Sequence, residues 1–450
     1  ASLHAMPLNT HIPWDTLPVE VVREMRPWPK REDGTLRRAG VSGFGLSGTN
    51  AHVIIEEPPG FEVQSVASES SGHLPLVISA KTPQALRDQA QRWARWLEEH
   101  SETDWNDLIS AAALNRMHLK NRAALRAQHV PQAIELLNQL AQEQANSDIV
   151  VAAGDMKGKV AFLFPGQGSQ CVAMGSGLYE AFPVFREALD EICSLMDAHL
   201  DKPLFEVLFE NASAGEDALL NQTAYTQPAL FAIEVAMAKA WLSWGVVADF
   251  VIGHSIGELS AAYISGVFSL EDAVRLVCAR GRLMQSCQGG GAMASIEATE
   301  MEVKSIMDSV EGVLDIASLN GLRQTVVSGS SSSVDWICEA FRKEERKATR
   351  LNVSHAFHSA HMDPILEEFR QVAESCSFRM PSIPIISNVT GALAKPEEVM
   401  SAEYWVRHVR DAVRFSSGME TLYDLGTRLF LECGPQRVLA GMGRNCLGEA

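Results

Sequence analysis

From Lys159 onward the chain alternates between two hydrophobic patterns. Val160-Ala161-Phe162-Leu163-Phe164 is a continuous apolar run, and Phe250-Val251-Ile252 is another. Short runs without polar alternation fit strands buried on both faces. Helical segments are predicted near 182–199, 226–244 and 258–264. Strands alternating with helices predict a mostly parallel sheet covered on both sides. Upstream, residues 73–156 read as a smaller α/β unit. It has a β-type run at 74–79 and a helix from a Thr82 cap to about 99, with Leu86, Ala90, Trp93 and Leu97 at helical spacing. Further helices are predicted at 104–115 and 131–144, and short strands at 123–127 and 149–152.

The first 59 residues are rich in Pro and Gly and hold too few apolar positions to bury a core alone. They end in a glycine-rich stretch, 43–50, and the strand-like Ala51-His52-Val53-Ile54-Ile55-Glu56-Glu57. Residues 60–72, with Ser65, Ser68, Ser70 and Ser71, read as a linker. The 450 residues carry 38 Lys and Arg against 56 Asp and Glu, a net charge of −18. An acidic surface repels phosphate backbones and anionic membranes, which argues against nucleic-acid or membrane partners. No apolar run reaches bilayer length, and the N-terminal residues do not form a secretory signal. The 8 cysteines are scattered without a Cys-x-x-Cys pair, so reduced thiols in a cytoplasmic protein are expected.

Three motifs carry chemistry. Gly253-His254-Ser255-Ile256-Gly257 fits Gly-x-Ser-x-Gly between a predicted strand and a predicted helix, the setting in which a sharp turn presents a serine nucleophile. A serine needs a base, and His355-Ala356-Phe357-His358-Ser359-Ala360-His361 offers histidines three apart. That spacing suggests a metal site, but the His-Glu-x-x-His arrangement is absent, and no metal is expected. Phe164-Pro165-Gly166-Gln167-Gly168-Ser169-Gln170 places a glycine-rich turn at a strand end. No Gly-Lys-Ser/Thr follows, which excludes a Walker loop.

Together, in this order, these motifs resemble the acyltransferase domains of modular polyketide synthases, of the malonyl-CoA:acyl carrier protein transacylase family. The resemblance covers residues 159 to about 440. Residues 73–156 resemble the linker domain between ketosynthase and acyltransferase, and 43–57 the C-terminal end of a ketosynthase. The resemblance implies an α/β-hydrolase-like parallel-sheet subdomain with an inserted ferredoxin-like subdomain at 288–349, following the N-terminal α/β linker domain. In the insert, 292–296 and 324–328 read as strands and 299–310 and 334–343 as helices. The implied division is a ketosynthase remnant at 1–59, a linker domain at 60–157, a large subdomain at 158–287 and 350–440, and a further linker from 441.

The same resemblance implies roles residue by residue. Ser255 is the acyl-bearing nucleophile and His358 its base. Gln167 and Ile256 give backbone N–H groups to an oxyanion hole. Arg280 grips the malonyl carboxylate, which its planar guanidinium suits better than a lysine would. The backbone carbonyl of His408 orients His358. His355 and Phe357 border the acyl pocket, and Asn320 lies near the coenzyme A arm. On the residues alone, Arg280 also reads as a surface helix arginine.

The implied activity is transfer of malonyl from malonyl-CoA, through Ser255, to the phosphopantetheine thiol of an acyl carrier protein, with no bound cofactor. Malonyl rather than methylmalonyl is implied by His355-Ala356-Phe357-His358, by Gln222-Thr223-Ala224-Tyr225-Thr226-Gln227 and by Ile256. The ketosynthase-like segment has no cysteine, so the chain reads as part of a longer polypeptide with a covalently linked ketosynthase. The basic run 342–350 is expected to help dock the carrier protein. A serine hydrolase or editing thioesterase is the alternative. It would more typically orient its histidine with an acid such as Asp315, Asp335 or Asp363. A third reading, a non-catalytic scaffold, suits residues 1–156 better than the rest.

Overall fold

The computed structural model describes residues 2–30, 33–58, 74–154, 157–210, 219–287, 289–353 and 355–448. The expected linker at 60–72 lies outside the described residues. The chain divides into two units, residues 1–69 and 70–450.

In the first unit, β1 (Arg38–Phe44) and β2 (Asn50–Glu56) form an antiparallel hairpin. All positions of the pair except Ala39 are exposed, including Phe44, Val53, Ile54 and Ile55. A two-stranded ribbon has no second layer to bury such side chains, as expected of a segment too short for its own core.

The second unit opens with an antiparallel sheet of β3 (Leu76–Ala80), β4 (Asn121–Leu125) and β5 (Ile149–Ala153). Helices Pro83–Glu99, Trp105–Leu114 and Val130–Ala141 pack with it around a separate apolar cluster that includes Leu86, Ala90 and Leu97. The Thr82 hydroxyl caps the first helix, accepting from the Ala85 N–H at 3.1 Å.

β6 (Lys159–Phe164) and β7 (Phe250–Gly253) then begin the large sheet. The chain leaves it for an inserted α/β layer of β8 (Gly291–Ile296), β9 (Leu314–Gly321), β10 (Gln324–Ser330) and β11 (Ala348–Arg350). It returns with β12 (Ile385–Ile386) and β13 (Thr427–Glu432), closing a parallel sheet in the order β12-β7-β6-β13. Phe162, Phe164 and Val251 face one core, whereas Ala161, Leu163, Phe250 and Ile252 face the other. The two-residue period thus sends neighbours into opposite cores, which explains why these strands read as unbroken apolar runs. Helices Pro183–Met196, Thr223–Ser243 and Leu270–Ser286 cover the first face, and Phe415–Asp424 and Leu439–Leu447 the second.

The insert is an antiparallel sheet, β11-β8-β10-β9, backed by helices Glu300–Met307 and Ser331–Lys343. Its βαββαβ order and strand arrangement are those of a ferredoxin-like layer. Two of the expected boundaries move. β11 ends at Arg350 and pairs with β8, so the insert extends one residue past 349. Position 441 falls inside helix Leu439–Leu447, which buries Leu439 and Cys446 in the second core and continues the large subdomain.

Candidate active site

The turn after β7 is held by close packing. A Cβ on Gly253 would lie 2.1 Å from the Glu258 nitrogen, and one on Gly257 would lie 2.0 Å from the Phe164 carbonyl oxygen. Only glycine lets the strand, the turn and helix Gly257–Ile264 approach this closely. Ser255 sits between them in the left-handed region, φ 53°, a conformation that an L-residue adopts only at a cost in strain.

The Ser255 Oγ meets two side chains that the sequence brings from far away. His358 Nε2 is 2.8 Å from it and Arg280 Nη2 3.1 Å. His358 also has positive φ, 55°, so both members of the pair occupy strained backbone. Arg280, from helix Leu270–Ser286, is 1% exposed. It is a buried arginine, which excludes the surface reading. Its Nη1 donates to Gln227 Oε1 at 2.8 Å, and Gln227 Nε2 in turn reaches the Met284 sulfur at 3.1 Å. Arg280 Nε has no hydrogen-bond partner among the described residues.

These groups open onto a cavity of about 250 Å³ whose lining includes Gln167, Ile256, Asn320 and Phe357 with Ser255, Arg280 and His358. Gln167 Nε2 donates to Thr223 Oγ1 at 3.3 Å. Asn320 Oδ1 is 2.9 Å from His254 Nε2, and its carbonyl accepts from the Cys446 thiol.

Two assignments change. The acceptor that orients His358 is the carbonyl of Asp411, 2.8 Å from Nδ1, and not that of His408. His408 lies within helix Ala402–Arg410, whose carbonyls run along the axis. Asp411 ends that helix with φ −76° and ψ 158°, an extended conformation that turns its carbonyl away from it. The His408 side chain is itself buried, with Nε2 3.6 Å from Glu258 Oε2. His355 is not part of the cavity wall. Its ring hydrogen-bonds the backbone at Gln285 and Cys287 and stands behind Phe357, with ring centroids 5.9 Å apart.

The electrostatics follow from burial. Desolvation pushes His358 down to about 3, with the nearby Arg280 charge acting in the same direction. Desolvation also lowers Arg280 to about 9, against which Glu258 acts. Burial raises Glu258 to about 7, although it accepts from Tyr404 Oη and the Asn388 N–H. Glu258, Tyr404, Gln227 and Asn388 were not singled out as site residues from sequence. Gln227 was visible only as the end of a pocket-associated stretch, and Asn388 carried no signal beyond its place in a polar loop.

Asp315 and Asp363 both pair with Arg410, and Asp335 with Arg350. His358 therefore has a neutral carbonyl where a hydrolase triad has an acid. Among the described residues no group of three His, Cys, Asp or Glu side chains could hold a metal ion. Several basic side chains of the run 342–350 are engaged within the insert. Arg346 forks onto Glu302, lies over the Phe341 ring at 4.9 Å and is 15% exposed. Arg342 donates to the Ala348 carbonyl. Charge along a sequence did not reveal that Arg342 and Arg346 already had partners; of the basic residues in the run expected to help dock a carrier protein, Arg346 alone is not exposed. No helix among the described residues is long and apolar enough to cross a membrane.

The acyl transferase domain family matches residues 161–449, the span that holds every one of these site residues. The chain belongs to this family. The ketoacyl-synthetase C-terminal extension matches residues 9–124. Polyketide synthase GfsA of Streptomyces halstedii is 43% identical over 452 residues, which cover 99% of this chain but 6% of GfsA. The chain thus spans a small part of the length of the curated relatives it matches. The crystal structure of the acyltransferase domain from the second module of the salinomycin polyketide synthase is similar at 42% identity and TM-score 0.68, covering 82% of this chain and 85% of that one. The malonyl CoA-acyl carrier protein transacylase of Coxiella burnetii is similar at 31% identity and TM-score 0.60, over 65% of this chain and 92% of that one.

Proposed function

We propose that this acyltransferase domain takes malonyl from malonyl-CoA onto Ser255 and passes it to the phosphopantetheine thiol of an acyl carrier protein. The observation that carries the reading is the bracketing of one serine oxygen by a base and a buried guanidinium: His358 Nε2 at 2.8 Å and Arg280 Nη2 at 3.1 Å. The malonyl carboxylate docks on Arg280, which releases the serine. His358 Nε2 removes the Oγ proton as Oγ attacks the thioester carbonyl. The N–H groups of Gln167 and Ile256 take the developing oxyanion. Collapse expels the coenzyme A thiolate, which recovers the proton from His358. The carrier thiol then repeats these steps in reverse order on the malonyl ester. The chemistry needs no bound cofactor.

In this reading residues 1–59 are the end of a ketosynthase in a longer cytoplasmic polypeptide, and 60–157 are the linker domain. Orientation of His358 by a carbonyl and the presence of Arg280 favour transfer over hydrolysis. Mass spectrometry after brief exposure to malonyl-CoA tests the proposal. Malonyl should be found on Ser255, be absent from Ser255→Ala, and move to added carrier protein. Free malonate as the main product would establish a hydrolase instead.

A further inference from the structure

We propose that Asn388 is a positioning residue that locks Ser255 in its left-handed conformation and assigns the oxyanion donors, an inference that rests on Ser255 being the nucleophile. Asn388 lies just past β12 and is 2% exposed. Its side chain clamps the entry to the turn, on either side of His254. Oδ1 accepts from the Ser255 N–H at 2.7 Å, and Nδ2 donates to the Gly253 carbonyl, also at 2.7 Å. The Asn388 backbone is fixed in turn, donating to Glu258 Oε2 at 2.8 Å and accepting from the Arg414 N–H at 2.8 Å. Tyr404 Oη binds the other Glu258 oxygen and reaches Ser387 Oγ at 2.7 Å.

Two consequences follow. A strained residue persists only where its surroundings over-determine it. Here one amide holds the two peptide groups that flank His254, the second of which leads into Ser255, and so fixes the plane from which the Ser255 φ turns. An N–H already bonded to Asn388 is not available to a substrate oxygen. The Ser255 N–H is therefore removed from the oxyanion hole, leaving that role to Ile256 and Gln167.

Asn388→Ala removes both bonds. Displacement of a reacting atom by about 1 Å costs on the order of 10²-fold in rate. The single-turnover acylation rate with malonyl-CoA should fall by about that factor, with KM within roughly twofold of wild type. Asn388→Asp is the second variant, nearly isosteric. Its protonated carboxyl keeps both bonds, whereas its carboxylate loses the donor to the Gly253 carbonyl and adds charge to a residue whose backbone N–H already bonds Glu258. Tyr404 and His408 are the other titratable groups around Glu258, and Arg280 is the cation acting on it. Activity of Asn388→Asp relative to wild type should therefore fall as pH rises, which lost packing alone does not produce. Peptide mapping of wild type and Ser255→Ala first checks the nucleophile: label elsewhere refutes that reading. Label on Ser255 with wild-type rates in Asn388→Ala, or a flat pH ratio in Asn388→Asp, refutes the role of Asn388 alone.

Discussion

His358 donates from Nδ1 to the carbonyl of Asp411, 2.8 Å away, and this bond leaves the Nε2 lone pair as the acceptor facing Ser255 Oγ. In the proposed mechanism the base is thus set in the needed tautomer by backbone, whose acceptor strength does not change with pH. Burial and Arg280 together hold the imidazole at about 3. Only the neutral ring accepts the serine proton, and a lowered pKa keeps it neutral on acidification. Acylation by malonyl-CoA should therefore hold its rate down to about pH 5, well below the ordinary histidine range near 6.5. Rapid-quench acylation across pH measures this. A half-loss at pH 6.5 would show an ordinary, solvated histidine.

Arg280→Ala should separate charged from uncharged acyl groups. The variant leaves a malonyl carboxylate buried without a partner, a loss of about 2–5 kcal/mol, or roughly 30- to 5000-fold in kcat/KM. Glu258 then loses its cation, but a carboxyl already raised to about 7 takes up a proton instead of remaining as a lone buried charge. The fold should survive and acetyl transfer should persist. Equal loss with malonyl-CoA and acetyl-CoA would make Arg280 a structural residue.

Gly257→Ala should remove folded protein altogether. The new methyl would sit 2.0 Å from the Phe164 carbonyl oxygen, and that oxygen belongs to a central strand. Gly177→Ala is the control: nothing lies within 4 Å of its Cβ position on helix Ser176–Ala181, and removing a helical glycine stabilises by roughly 0.5–1 kcal/mol. Soluble yield and Tm of the two variants distinguish a packing requirement from general intolerance of change.

Much of this architecture was legible because it rests on local pattern. Apolar runs disclosed β6 and β7, Thr82 disclosed a helix start, and the glycines around Ser255 disclosed a turn that nothing bulkier fits. The missed parts depend on tertiary placement. β12 is two residues long, and β9 mixes Asp315, Ser318 and Asn320 with its apolar positions. The carbonyl of Asp411 is an acceptor every residue carries, so identity could not distinguish it from that of His408. Asn388 meets Ser255 across 133 positions of chain. Arg346 looked available for a partner because sequence shows its charge and not Glu302 or Phe341. Charge reversal at Arg346 should accordingly lower Tm and slow self-acylation and carrier transfer alike. A selective loss of carrier transfer would restore the docking assignment.

In the proposed function, the choice between malonyl and methylmalonyl turns on Phe357. It lies directly before the base, is 8% exposed and lines the cavity together with Ile256, Met284 and Val326. A ring at this position occupies volume that an α-methyl group needs, so malonyl should be preferred to methylmalonyl. One methyl group in a pocket is worth about 1–3 kcal/mol, or roughly 10–200-fold in kcat/KM. His355 is placed behind the ring and not on the wall, so its effect should be indirect. Phe357→Ser alone should relax the preference toward unity, whereas His355→Tyr alone should change it little while disturbing Phe357 packing. Direct competition between malonyl-CoA and methylmalonyl-CoA at equal concentration measures each ratio. A wild-type ratio near one would place selectivity elsewhere in the cavity. A larger shift from His355→Tyr than from Phe357→Ser would reverse the roles assigned to the two side chains.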